Sequence, residues 1–288
     1  MARVCAVIVT ANRPALAVNE KMDLLRNCVR SLIAQTRPVD RIVVVDNATT
    51  DGTVQMLENE FGNLLGLGTL AVLPIKEYAG GAGAVGGGMR FAHCNKFDWV
   101  WVMDDGVEVA PDCLKRMIAF ENQADLIQVR GGSESHQDVF PDTAAFIPVT
   151  WCDFTAALFK DRVLNEIGFP DVRYFHAADD VAYGQLVAER APSICLNYQG
   201  IVKHTPDAPP LNRATFYLSI RNRFLARANL AASPARPSGP RFFFQTFAAV
   251  VRQLGRALET PGGTVNAMAT IDGLRDGLHK RFDRLPQS

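Results

Sequence analysis

Trp99-Val-Trp-Val-Met-Asp104-Asp105-Gly106 is an apolar strand that ends by presenting two adjacent carboxylates. At the carboxyl end of a buried strand such a pair can hold a divalent cation and, through it, a diphosphate. Two negative charges side by side are costly unless a cation, ribose hydroxyls or backbone N–H groups offset them. Asp and Gly are also ordinary turn residues, so the stretch takes its meaning from its neighbours. Upstream, Val4–Thr10, Arg41–Val45 and Leu70–Ile75 read as buried strands, separated by helical periodicity over Asn19–Ala34, Thr53–Phe61 and Ala84–Cys94. Strands alternating with helices predict an α/β fold with a Rossmann-like, mostly parallel sheet flanked by helices. Ligands of such sheets bind beyond the carboxyl ends of the strands, here Thr10–Arg13, Asp46–Thr50, Lys76–Gly83 and Asp104–Gly106.

Downstream the pattern is less regular. Helices are predicted around Asp112–Asn122, Asp161–Ile167 and Asp179–Arg190, with strands near Leu126–Val129, Ala144–Val149, Ile194–Leu196 and Gly200–Val202. Beyond Pro206–Pro210 the chain turns helical over Ala214–Leu230, Arg241–Leu258 and Val265–Arg281, with a break at Ser233–Pro240. The organisation expected is residues 1–205 as one α/β domain, divided at 106, followed by a helical C-terminal region over 206–288.

Of the 288 residues 48% are hydrophobic, enough for a substantial core and against disorder. Basic and acidic residues balance at 30 each, so no global charge points to nucleic acid. The balance is uneven along the chain: residues 1–205 hold 18 basic against 25 acidic, and residues 206–288 hold 12 against 5. Six cysteines are scattered without zinc-like or C-x-x-C spacing and are expected to be reduced, mostly buried thiols. No apolar run approaches the ~18 residues of a membrane-spanning helix, and Met1–Thr10 suits a core strand better than a signal peptide. A cytoplasmic location is expected.

Three further stretches carry chemistry. Val43-Val-Val-Asp46-Asn47-Ala-Thr-Thr-Asp51-Gly52-Thr53 places Asp46 at a strand end, where it can accept hydrogen bonds from a base or ribose, and Asp51 where it can cap a helix. Gly80–Gly88 contains a literal G-x-G-x-x-G at Gly81, Gly83 and Gly86, with Asp104 downstream at the distance of a ribose-binding acid. That is the case for an NAD(P)-dependent oxidoreductase. Against it, the run follows the third strand, the first turn Ala11-Asn12-Arg13-Pro14 lacks glycine, and glycines serve the approach to any diphosphate. Finally, Asp179-Asp180 opens a helix, where one carboxylate is explained by the dipole and a second is not. His204 closes a strand about two dozen residues later.

In their order and spacing these motifs resemble the family 2 glycosyltransferases of GT-A fold, and within them the bacterial galactofuranosyl- and rhamnosyltransferase branch. The likeness covers about residues 4–230, and Ile271-Asp-Gly-Leu-Arg-Asp-Gly-Leu278 also resembles that branch's terminal helix. It implies a nucleotide-sugar-binding half over 1–106 and an acceptor-binding half over 107–205. Thr10, Asn12, Arg13, Asp46 and Asp104 would form the nucleotide pocket, with Gly80, Gly81 and Gly83 approaching the donor. Asp104 and Asp105 fall on the first two places of the family's Asp-x-Asp element, and Asp105 and His204, with Asp104, would hold Mn²⁺ or Mg²⁺. Trp151 matches an aromatic bordering the acceptor, and Asp179 the catalytic base, with Asp180 as its substitute. Two positions depart from the pattern: Tyr78 replaces an Asn, and Gly106 stands where the third Asp is expected.

The implied reaction is inverting transfer of galactofuranose or rhamnose from UDP-galactofuranose or dTDP-rhamnose to a hydroxyl of a cell-surface or lipid-linked glycan. Gly106 keeps open a catalytically impaired nucleotide-sugar-binding protein, and on the sequence Gly106→Asp is expected to strengthen metal binding. The basic-aromatic stretch Arg241–Arg256 is expected to pack on the catalytic domain or to touch the inner membrane peripherally.

Overall fold

The computed structural model describes residues 1–131, 144–205, 211–230 and 238–285. The proline-rich stretch 206–210 and most of the break at 233–240 lie outside them. An eight-stranded sheet is central, in the order β3-β2-β1-β4-β8-β6-β9-β7. Its first half holds β1 (Val4–Thr10), β2 (Arg41–Asn47), β3 (Leu70–Ile75) and β4 (Trp99–Asp104), all parallel. Alternation along these strands feeds two cores. Val4, Ala6, Ile8, Trp99, Trp101 and Met103 face α1 (Val18–Ile33) and α2 (Thr53–Gly66), while Cys5, Val7, Val100 and Val102 face α3 (Gly80–Cys94).

The second half is mixed rather than parallel. β8 (Ala156–Lys160) inserts antiparallel between β4 and β6 (Leu126–Arg130), β9 (Ser193–Gln199) runs parallel to β6, and β7 (Phe146–Pro148) closes the edge antiparallel to β9. Neither β8 nor the short β5 (Val107–Val109) is legible in the sequence pattern. β5 pairs antiparallel with β10 (Ile201–His204), and that register sets His204 opposite Val107, beside the end of β4. Helices α4 (Cys113–Ile118), α5 (Asp161–Ile167) and α6 (Asp179–Ala188) complete this half, with five of the six cysteines buried and all of them free thiols.

The glycine run is a correction to the sequence reading. It is no loop: α3 begins at Gly80, and the remaining glycines lie inside the helix. A Cβ on Gly88 would collide with Val7 and press on Val45, so the bare backbone lets α3 lie close against the sheet. Gly80 itself has φ +70° and abuts the Phe175 carbonyl, a placement open only to glycine.

Helices α7 (Arg213–Asn229), α8 (Gly239–Leu258) and α9 (Gly263–Leu278) form the C-terminal layer. Gly273 and Gly277, one turn apart in the Ile271–Leu278 motif, leave room for the Tyr217 backbone and the Phe224 ring of α7. α7 in turn grips the chain ahead of α6. Asn222 donates from Nδ2 to the carbonyls of Tyr174, His176 and Ala177 at 3.0, 2.9 and 2.8 Å, and buried Arg221 donates to the carbonyls of Arg173, Phe282 and Arg284.

Candidate active site

The parallel registers align Thr10 with Asp46 and Val9 with Asp104, so the carboxyl ends of three strands meet at one edge. Asp46 and the turn after β1 are preorganised: Asp46 Oδ1 accepts from Thr49 N at 3.0 Å, and Asn12 exchanges hydrogen bonds with Thr50. Asn47 clamps the entry to α3, accepting from Ala79 N and donating to the Gly80 carbonyl. Asp51 is not the cap of α2, which is Gly52 in the left-handed region; it closes the preceding turn, accepting from Thr53 N at 3.1 Å, and pairs at 2.7 Å with the buried Lys21.

The two carboxylates after β4 part company. Asp105 turns inward and is 2% exposed; it accepts from Thr10 Oγ1 at 2.6 Å and pairs with Arg13, which also donates to the Thr205 carbonyl at 3.0 Å. Burial pushes the Asp105 carboxyl up to about 6, against the pull of Arg13 and Thr10. Both oxygens of this expected metal ligand are therefore already engaged by the protein. Asp104 instead faces the open edge, its side chain 45% exposed, 3.6 Å from Nε2 of His204. The His204 side chain is 8% exposed and its buried Nε2 has no hydrogen-bond partner.

Asp153, passed over in the sequence, joins this group. Burial raises its carboxyl above the usual range, and the Asp104 charge raises it further while His204 draws it down. Asp180 is raised by burial and by the charges of Asp153 and Asp104, and Asp179 by burial, Asp180 and Asp104. The carboxylates at the ends of β4, the 151–155 segment and α6 thus lie near enough for the charges of Asp104 and Asp153 to act on their neighbours. Among the described residues no group of three side chains forms a ready metal cage. An orphaned imidazole nitrogen next to an exposed carboxylate, in surroundings rich in negative charge, nevertheless fits a divalent cation that keeps part of its shell for water and phosphate.

Asp179 opens α6 with its Oδ2 3.0 Å from where a Cβ on Gly81 would stand, so the carboxylate looks at the start of α3. The chain ahead of it is strained: Phe175, Ala177 and Ala178 have φ of 59°, 73° and 63°, values that cost a residue with a side chain free energy and that cluster at functional sites. The Asn222 contacts hold this conformation. Trp151 accepts through its carbonyl from Gln128 Nε2 at 3.0 Å, and the next residue, Cys152, has its Sγ 3.7 Å from the Asp180 carbonyl.

Gly106 proves to be a packing glycine. A Cβ there would run into the Thr205 carbonyl and crowd the Arg13 guanidinium, and Thr205 N already donates to the Gly106 carbonyl at 2.9 Å. This reverses the expectation for Gly106→Asp. Both Gly106→Ala and Gly106→Asp are expected to lower stability by about 1–3 kcal/mol, as overpacking does, and neither should tighten Mn²⁺ binding. Thermal melts and Mn²⁺ titrations of the two variants check this; an unshifted melting temperature with tighter metal binding would contradict it.

A family profile for glycosyl transferase family 2 matches residues 6–167 of the 288. The chain belongs to glycosyltransferase family 2. Galactofuranosyltransferase GlfT1 of Mycobacterium tuberculosis is 30% identical over 207 residues, 62% of this chain and 62% of that protein. GlfT1 of Mycolicibacterium smegmatis is 27% identical over 203 residues, 62% of this chain and 63% of that protein. The alignments span a little under two thirds of the length of these relatives. Among solved structures, Staphylococcus aureus TarS 1–349 matches with a TM-score of 0.63 at 15% identity, over 98% of this chain and 82% of that one. Mannosyltransferase PcManGT from Pyrobaculum calidifontis, in complex with GDP-Man and Mn²⁺, matches with a TM-score of 0.58 at 14% identity, over 97% and 88%. At such identities the likeness is one of fold, and that fold is GT-A.

Proposed function

We propose that this family 2 chain is an inverting glycosyltransferase that moves galactofuranose, or else rhamnose, from a nucleotide sugar to a hydroxyl of a cell-surface or lipid-linked glycan. The observation that carries the reading is the Asp179 carboxylate at the start of α6, facing the N-terminus of α3 and within reach of the charge of Asp104, which has His204 beside it. Similarity to galactofuranosyltransferases supports reading the sugar as galactofuranose before rhamnose, with UDP-galactofuranose as the donor in this proposal.

In this reading Thr10, Asn12, Arg13 and Asp46 shape the nucleotide pocket, and Arg13 and Thr10 act by fixing Asp105 and with it the turn that presents Asp104. Asp104 and His204 would hold the Mn²⁺ or Mg²⁺, with Asp105 as their buried anchor rather than a ligand. When bound, the cation supplies charge neutralisation for the departing nucleoside diphosphate. Asp179 takes the proton of the acceptor hydroxyl as that oxygen attacks the anomeric carbon on the face opposite the leaving diphosphate; the bond to the diphosphate breaks and the configuration inverts. Asp180, whose Oδ1 accepts from Val181 N at 2.7 Å, is held by its own helix and serves to raise Asp179. Trp151 borders the acceptor.

Titrating the protein with UDP-, dTDP- and GDP-sugars and with NAD(H), each with and without Mn²⁺, tests the reading. Metal-dependent binding of a nucleotide sugar, followed by release of the nucleoside diphosphate when acceptor is added, is the expected result. Donor binding without release under any acceptor would favour a nucleotide-sugar-binding protein, and NAD(H) binding an oxidoreductase.

Among the described residues no helix is long and apolar enough to cross a membrane. α8 buries Phe242, Thr246, Ala249 and Val250 and exposes Phe243, Phe244, Phe247, Val251 and Leu258. Arg241, Arg252 and Arg256 are exposed on the same helix. This supports peripheral contact with an anionic leaflet, where lipid-linked acceptors lie. Binding to vesicles containing phosphatidylglycerol is expected at low salt and should weaken as salt rises; no binding at low salt would remove the idea.

A further inference from the structure

A cavity of about 260 Å³ lies between the start of α6 and the α7–α8 pair, lined among others by Ala178, Val181, Arg223, Arg227, Phe242 and Gln245. Its place is set by Ala178 and Val181, which flank the Asp179-Asp180 pair. Arg223 and Arg227 stand one turn apart on α7, both half-buried. A guanidinium drawn partly out of water gains most from a carboxylate or other anionic partner. Here, among the described residues, neither forms an ion pair. Arg223 reaches only the Thr246 hydroxyl, at 3.4 Å from its Nε. Arg227 lies over the Phe242 ring at 4.6 Å, and its buried Nε has no hydrogen-bond partner. Burial lowers the Arg223 guanidinium from its ordinary value, and the Arg252 charge on α8 lowers it further.

Two half-buried guanidinium groups on the wall of one cavity, with no ion-pairing acid among the described residues, are a site for an anion brought from outside. Guanidinium forks match phosphate oxygens in shape and charge. The alanines, Val181 and Phe242 give the rest of the wall an apolar character suited to what the phosphate is attached to.

We propose that this cavity binds a phosphate or diphosphate group of the acceptor through Arg223 and Arg227, on the α7 side of the helix start that carries Asp179. The assignment of the anion to an acceptor rests on the transferase reading; the binding itself does not.

The test is calorimetric titration of the full-length chain with inorganic pyrophosphate in the presence of chelator, which silences the Asp104–His204 site. Binding is expected in the wild type and in Asp104→Asn. Arg223→Gln and Arg227→Gln should each weaken it by about tenfold or more, the worth of a charge-assisted hydrogen bond. Arg227→Lys, which keeps the charge should Arg227→Gln unfold, is expected to retain more of the affinity than Arg227→Gln. Absence of binding, wild-type affinity in both Gln variants, or loss in Asp104→Asn would overturn the proposal. So would arginine-dependent binding to phosphatidylglycerol vesicles without binding to pyrophosphate, which would assign these side chains to a membrane surface. Turnover plays no part in the readout, so failure of the transferase reading and failure of this site are told apart.

Discussion

Asp179→Asn is expected to lower turnover by at least about 10²-fold, the low end for loss of a general base, while donor affinity stays nearly unchanged. Asparagine keeps the shape of the side chain and its place at the start of α6, so the strained turn ahead of it is undisturbed; only the ability to take a proton is removed. The pH profile carries the same information. The carboxyl groups of Asp179 and Asp180 are both held above the ordinary carboxylate range, Asp179 by burial, Asp180 and Asp104, and Asp180 by burial, Asp153 and Asp104. A base works only when ionised, so the rate should fall as pH drops through a midpoint well above that of a free aspartate. In Asp180→Asn one like charge is gone and the midpoint should move to lower pH, with activity retained. If Asp180→Asn abolished turnover and Asp179→Asn left it at the wild-type level, the two roles would have to be exchanged.

Asp104→Asn and His204→Ala are each expected to cost at least about 10²-fold in turnover, because the charge stabilisation a divalent cation supplies is worth several kcal/mol and each 1.36 kcal/mol is tenfold in rate. Both should also remove the response of donor affinity to Mn²⁺, measured by titrating a UDP-sugar with and without the metal. Asp105→Asn should behave differently. It leaves Arg13 buried without its counter-charge, a loss of about 3 kcal/mol or more, and should show chiefly as a lower melting temperature. Wild-type donor binding indifferent to Mn²⁺, Mg²⁺ and chelator would defeat the metal assignment, and a stable Asp105→Asn without metal response would return Asp105 to the ligand set.

The parallel half of the sheet was legible because its strands are continuous apolar runs bounded by turn residues, and the observed β3 and α5 have the predicted ends. The glycine run misled for a definable reason. Glycine costs a helix about 1 kcal/mol relative to alanine, which argues for starting the helix after Gly83, but Gly80 against the Phe175 carbonyl and the Asn47 clamp start it one turn earlier. β8 was missed because a five-residue apolar run suits several structures and its antiparallel place between β4 and β6 depends on pairing with distant segments. The same pairing explains why Asp153 escaped notice. Register sets Ala156 opposite Met103, so the residues just before β8 come to lie beside the end of β4. Locally, Asp153 is only a carboxylate ahead of a strand. The part of Asp105 could not be read either, since a pair of adjacent aspartates does not reveal which one faces inward.

The grip of α7 on the chain ahead of α6 sets an order of events during synthesis. The turn that presents Asp179 takes its strained form through Asn222, and Arg221 ties the same segment to the Phe282 and Arg284 carbonyls beyond α9. A nascent chain that has emerged only as far as β10 has every residue assigned to catalysis, yet lacks the bonds that hold its base in place. Competence would therefore come late, when α9 has left the ribosome and closed over α7, and grafting this catalytic half onto another chain would require α7 to α9 to travel with it.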